Sequence, residues 1–507
     1  LKLIKLKNGN LSAIVFSDSQ KKGNSACPTI IFTYLEHFLN KETESEENQV
    51  HGCFIKCSER TMSTCRNQLF LDIKFNNYHH IAFTMKRTAA IIIVGLMVFE
   101  GVSFVTSNVS TVPSFAADRQ LSENFAPQTG GTYGIQWVGD YGKMPFWSAR
   151  YEGPQPVGDA DNDGKNELLI GGRDPFMRVM KWDEDKQTYY EQQKIVDPVF
   201  GIGYTILGFG SATGFSIADI DNDGQNEIGV AWGRHFSAFK WDGSQYKKMG
   251  MYVVTKGRGW ETTLDCMVGD CDNDGRNEVV VTGGYNDPNI PEVLVLDWDG
   301  EKFVEESDWN APGTHSVYFP WIADVDNDGK NEIICNTNET VVLNWDETSQ
   351  SWKPTVVARY GDKEIYLFGC VSKDSDGDGI PEIHVTFYAP ELKIFEWNGT
   401  GYTEKWSRYW DGEEGTIEAI DIGDVDDDGI QEVCVGTNFV HILQWNGTTY
   451  TEEYVIRDTY GLLAVTCVGD FDNDGKIEIN AGAVGVSSFG ESYKSWIFKY
   501  ESDCFLM

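Results

Sequence analysis

From residue 129 onward the chain repeats one pattern of apolar and polar positions. In one copy, GFSIAD (214–219) alternates up to an acidic turn and EIGVAW (227–232) leaves it as an apolar run. HFSAFKWDG (235–243) alternates after a short break, and QYKKMGMYVV (245–254) closes the unit. Runs of this length, bounded by Gly, Asn and Asp, predict β-strands, here four per repeat, named A to D. The acidic turns start 60, 51, 54, 50, 50 and 46 residues apart. That spacing suits one four-stranded sheet and is too short for an independent domain, which is the signature of a propeller. Strand C ends on Trp182, Trp241, Trp298, Trp345, Trp397 and Trp445, with Tyr500 in the seventh copy. An aromatic at a fixed place in every repeat is read as packing between blades.

The seventh repeat supplies strands A (LLAVTCVGD), B (IEINAGAV) and C (SWIFKYE) and then ends. A propeller cannot leave that edge open. The unassigned TYGIQWVGDY, Thr132 to Tyr141, is therefore predicted to supply the missing strand and close the ring. The fold class expected for 129–503 is all-β: a seven-bladed β-propeller of four-stranded antiparallel blades.

Each A–B turn is a nine-residue acidic loop, such as DADNDGKNE from Asp159 and DIDNDGQNE from Asp219. Asp at positions 1, 3 and 5 presents hard oxygen ligands, and Gly at 6 permits a sharp turn, the geometry of a calcium loop. Position 12 is apolar or small in every copy, so the bidentate Glu of an EF-hand is missing, and the cage closes with the Glu at position 9. The expected metal ligands are Asp159, Asp161, Asp163 and Glu167; Asp219, Asp221, Asp223 and Glu227; Asp270, Asp272, Asp274 and Glu278; and Asp324, Asp326, Asp328 and Glu332. The last three loops supply Asp374, Asp376, Asp378 and Glu382; Asp424, Asp426, Asp428 and Glu432; and Asp470, Asp472, Asp474 and Glu478. The cofactor expected is calcium, up to seven structural ions. Solvated Asx turns without metal are the alternative, weakened by seven loops with every ligand position kept.

GFSIADIDNDGQNEIGVAW and FPWIADVDNDGKNEIICNT resemble the FG-GAP and VCBS repeat families. The resemblance covers roughly 129–503 and implies an integrin-α-like propeller with calcium in the A–B loops, held by the first, third, fifth and ninth positions. An integrin's inserted ligand domain, leg domains and membrane helix have no counterpart here, so integrin function does not carry over. The fold does not name the activity.

Charge sharpens the picture. Residues 1–116 carry 12 basic and 9 acidic side chains, leaving 29 and 69 in the remainder. Seven calcium ions would still leave a net negative surface, which repels nucleic acid and anionic lipid. From Met85, MKRTAAIIIVGLMVF and the small-residue site near Ala116 read as a signal peptide over 85–116. A linker follows at 117–128, and 1–84 is read as an upstream extension foreign to the mature protein. The expected location is secreted or cell-surface, with no stable membrane insertion after cleavage. Cysteines beside the loops, among them Cys266, Cys335, Cys370, Cys434 and Cys467, are read as buried small hydrophobes rather than disulfides.

Because strands alternate direction, A–B loops and C–D turns share one face and the B–C and D–A connections the other. The third and seventh repeats carry long B–C insertions, Gly283 to Pro291 and Val484 to Tyr493. Insertions gathered on one face mark a binding face. Candidate ligand-binding residues there are His235, Trp260, Tyr285, His315, Tyr318 and Trp410, since aromatics among polar groups suit sugar rings. No HExxH or GxSxG is present. The reading is a non-catalytic adhesion module for an extracellular glycan or protein, not for nucleic acid. A polysaccharide lyase or a surface-layer component remain alternatives.

Overall fold

The computed structural model describes residues 131–143, 154–171, 176–199, 212–254, 263–284, 291–312, 316–360, 367–387, 389–413, 417, 419–485 and 492–502, together with 2–5, 12–15, 30–33, 52–57, 68–75 and 79–86. The chain divides into two units, Leu1–Leu121 and Ser122–Met507. The first holds a six-stranded antiparallel meander running from Lys2–Lys5 to His79–Lys86. Met85 and Lys86 end its last strand, and the rest of the expected signal and linker segments lies outside the described residues.

The second unit is built of seven four-stranded antiparallel sheets. Blade 1 runs Val157–Gly158, Glu167–Ile170, Phe176–Asp183 and Thr188–Val196 as strands A to D. Blade 2 is Gly214–Ala218, Glu227–Ala231, His235–Trp241 and Tyr246–Val253. Blades 3 to 6 span 263–309, 321–359, 367–409 and 420–456. Blade 7 takes A to C from Leu462–Gly469, Glu478–Gly485 and Ser492–Ser502, and its D strand from Gly131–Lys143. The predicted closure is therefore found, with Tyr500 opposite Tyr133 and Ile497 opposite Trp137.

Apolar burial is organised by interface. Seven hydrophobic clusters fill the seven gaps between neighbouring blades: Leu169, Val179, Ile228 and Trp232 join blades 1 and 2, for example, and Ile442, Leu463 and Phe498 join 6 and 7. The residue at loop position 2 reaches into these gaps: Ala160, Ile220, Cys271, Val325, Ser375, Val425 and Phe471 are all fully or nearly fully buried. The strand-C aromatic packs between blades as expected, with Trp182, Trp241, Trp298, Trp345 and Trp445 all joining the inter-blade clusters, and it also caps its own blade. Trp182, Trp241, Trp298, Trp345, Trp397 and Trp445 each stand 4.8–5.1 Å from the aromatic that begins strand D. That second ring adds to the inter-blade contact, as when the Tyr189 hydroxyl donates to the Phe471 carbonyl at 2.5 Å.

Cys266, Cys271, Cys335, Cys370, Cys434 and Cys467 are free and buried, as expected of small hydrophobes. The inner strands and the residues leading into them surround an axial cavity of about 210 Å³, with Asp265, Trp321, Asp421 and Thr466 among its walls. Among the described residues no helix is long and apolar enough to cross a membrane.

Candidate metal centres

The seven loops share one backbone. Position 6 is glycine at φ +84° to +94°, a conformation side chains resist. Position 4 is also left-handed, and Asn, Asp or Gly fills it in every copy. Asp at position 1 accepts the position-6 amide in all seven loops, at 2.8–3.1 Å. Asp at position 5 accepts the amide two residues on, at 2.8–3.1 Å. These bonds fold the carboxylates inward. In blades 1 to 5, three carboxylates each bring an oxygen within 4.8 Å of the others, a set that could hold a metal ion. In blade 3, Asp270 Oδ1 is buried without a hydrogen-bond partner, so hard, inward-facing oxygens fit a hard divalent cation.

The Glu at position 9 opens strand B and points back under the loop. Its Oε2 accepts the position-2 amide at 2.8–3.1 Å in every blade, and the residue is at most 3% exposed. Burial pushes the Glu278, Glu332 and Glu432 carboxyls up to about 8, and neighbouring Asp residues add to the rise. Glu167 and Glu478, each beside a lysine, rise only to about 7.

A pH dependence follows for the metal-free protein. These carboxyls bind protons more tightly folded than unfolded, so their contribution is full below the ordinary glutamate value of 4.5 and is lost as pH rises through 7 to 8. In chelator, the melting temperature should fall by several degrees between pH 5 and pH 8. A flat or rising profile in that window, measured by calorimetry, contradicts this assignment.

Two features of the loops have no counterpart in the ligand pattern. The first is a clasp between blades. The Asn226 amide N–H donates to Asn162 Oδ1 at 2.8 Å, and its side-chain amide donates to the Asp159 carbonyl at 2.9 Å. Asn277, Asn331 and Asn166 repeat both bonds onto the loops of blades 2, 3 and 7. Pro381, Gln431 and Ile477 stand at this eighth position in the other three loops. The clue was in the sequence as Asn recurring at positions 4 and 8.

The second is a β-bulge in every C–D ladder. A bulge re-aims one side chain, and in six blades the extra residue lies near the loop end: Gln192, Met249, Glu306, Lys405, Glu453 and Gln136. In blade 4 the bulge moves to Val357, at the opposite end. Gln192 Nε2 donates to Asp161 and Gln136 Nε2 to Asp472, both at 2.6 Å. The strand-C residue before the Trp or Tyr also faces the cage, and in three blades it is lysine. Lys181 Nζ lies 2.6–2.8 Å from Asp161, Asp163 and Glu167. Lys240 and Lys499 make the same three contacts at 2.6–2.9 Å. In blade 5 the bulge supplies Lys405, which pairs with Asp376, Glu382 and Glu396. Although burial opposes their charge, these carboxylates hold all four ammonium groups above the usual lysine range.

On the opposite face, the structure places His235 and Trp410 inside. His235 has no exposed surface, with its ring nitrogens 3.0 Å from Ser237 Oγ and Asp197 Oδ1. Asp197, His235 and Ser237 have the bonding order of a nucleophilic triad, but all three are buried, so the arrangement braces blades 1 and 2. Trp410 is 3% exposed and lies under the Arg408 guanidinium. Next to it His441 bridges Glu413 at 3.0 Å and Glu452 at 2.7 Å. Tyr318 is half-buried, and its carbonyl accepts the Thr282 hydroxyl. Trp260, Tyr285 and His315 lie outside the described residues.

The family model of the FG-GAP-like repeat matches residues 270–335 and 374–435. No curated protein matches the sequence. Among solved structures, BBS1N in complex with ARL6DN is similar with a TM-score of 0.47 at 12% identity, over 72% of this chain and 96% of that one. The Dos1 propeller gives 0.43 at 10% identity, over 71% and 82%. The matched stretches begin at the loops of blades 3 and 5 and end in strand B of blades 4 and 6, and the same loop and strand recur in blades 1, 2 and 7. The second unit is thus a seven-bladed β-propeller that carries FG-GAP-like repeats over 270–335 and 374–435.

Proposed function

We propose that the protein is a secreted or cell-surface propeller, braced by calcium in its A–B loops, that works as a non-catalytic adhesion module for a glycan or protein. The observation that carries this reading is the repetition of one oxygen cage around one rim, each cage anchored by a buried Glu at the root of strand B. An ion in such a cage ties loop to sheet and replaces the protons those carboxylates would otherwise keep. Repetition around the rim suits bracing, and leaves the opposite face for recognition. The buried state of Asp197, His235 and Ser237 supports a non-catalytic role, because no substrate carbon reaches that hydroxyl.

Chelation should lower the melting temperature, since each occupied loop contributes about 1.4 kcal/mol when calcium stands tenfold above its dissociation constant. An unchanged melting curve rejects the bracing role. For recognition, the protein is passed with calcium or chelator over immobilised polysaccharides and extracellular matrix proteins while ultraviolet absorbance of unsaturated sugar ends is recorded. Calcium-dependent retention without absorbance supports the module. Rising absorbance makes it a lyase.

A further inference from the structure

The seven cages differ in what closes them. In blades 1, 2, 5 and 7 an ammonium group already stands among the ligand carboxylates, from Lys181, Lys240, Lys405 and Lys499. Each reaches the position-9 Glu and the position-3 Asp together, two of the carboxylates that would hold an ion. Among the described residues, no lysine or arginine pairs with a ligand carboxylate of blades 3, 4 or 6. The same two structural places hold other chemistry there. Blade 3 has Asp297 before the Trp and Glu306 at the bulge, and Arg276 turns outward to Asp297 and the Trp298 carbonyl. Blade 4 has Asn344 and no bulge residue at the loop end. Blade 6 has Gln444, which donates to Asp428 at 2.9 Å and Glu432 at 3.1 Å, and Glu453 beside Asp426.

We propose that the propeller takes three divalent cations, in blades 3, 4 and 6, and that a built-in lysine ammonium replaces the ion in blades 1, 2, 5 and 7. This rests on the calcium reading of the loops and deepens it. A cation entering a closed cage must displace an ammonium paired with three carboxylates or share the cage with a like charge, and both oppose binding. A cation entering blade 3 or 6 instead relieves repulsion among the loop carboxylates and an added Glu. The distinction is a choice of charge at two positions per blade, the strand-C residue before the Trp or Tyr and the strand-D bulge. Three blades are left dependent on calcium, and four hold their shape without it.

The test is calcium bound per full-length chain, by equilibrium dialysis and elemental analysis at millimolar free calcium. The expected count is three, rising to four in Lys181→Met and in Lys499→Met, each prepared in calcium. Four or more ions on the unaltered protein would show that the ammonium yields to the metal and overturn the lysine assignment, leaving the calcium reading intact. One or two would refute the open-cage assignment. None would overturn the calcium reading as well. An unchanged count of three in both variants would overturn the lysine's role as the occupant, even with the parent count as expected.

Discussion

A chain lacking residues 131–143 is expected to lose its cooperative unfolding transition. The segment pairs with Ser492–Ser502 along nearly its whole length, from Lys143 opposite Ser492 to Gly131 opposite Ser502. It also carries two inter-blade aromatics. Tyr133 packs against Tyr454 and Tyr500 at 5.1 and 5.2 Å, and Trp137 against Tyr189 at 5.1 Å. Truncating one buried aromatic costs about 3–5 kcal/mol, and a domain has only about 5–15 kcal/mol in total. Losing both rings, a strand ladder and closure of the ring exceeds that margin, and the bared edge of 492–502 becomes a site for association. Calorimetry with light scattering reads both consequences. Ile135→Ala, at a side chain 45% exposed on the same strand, is the control and should shift stability by less than about 0.5 kcal/mol. A deleted chain that melts like the parent would show that the ring does not need this strand.

The closing strand, the four-strand repeat, the loop and the aromatic column could all be read from the sequence, because each follows from local alternation or from a residue at a fixed interval. What could not be read depends on register across strands. Lys181, Lys240 and Lys499 stand visibly before the Trp or Tyr, yet only the pairing of strands B and C turns them toward the loop. Lys405 is less legible still, because a bulge in strand D aims it, and alternation does not show where a bulge falls. His235 and Trp410 were expected on the recognition face from their place near B–C and D–A connections. The structure buries both between blades, where Asp197 and Arg408 engage them. In a propeller those connections dip into the inter-blade gap, so being near a loop does not imply being exposed.

Lys405→Met should be among the most destabilising single changes in the molecule when calcium is chelated, and much milder when calcium is present. The Lys405 side chain is 8% exposed, and its partners Asp376 and Glu382 are 7% and 1% exposed. Removing one member of a buried ion pair leaves the other charges uncompensated, at a cost of about 3 kcal/mol or more. Methionine keeps most of the volume, so packing loss does not dominate. With the ammonium gone, Asp374, Asp376, Asp378 and Glu382 become an open cage with Glu396 beside it, as Asp297 stands beside that of blade 3, and a calcium ion can restore the missing positive charge. The melting temperature should therefore drop by roughly 4 °C or more in chelator and recover most of the loss in millimolar calcium. Glu453→Gln in blade 6 should behave in the opposite sense. It removes a carboxylate whose pKa burial, and then its neighbour Asp426, raise to about 7, so the metal-free protein should gain stability while its response to calcium shrinks. Equal losses for Lys405→Met with and without calcium would mean that the ammonium serves packing alone. A Glu453→Gln protein that loses stability in chelator would mean that its carboxylate braces the loop rather than awaiting an ion.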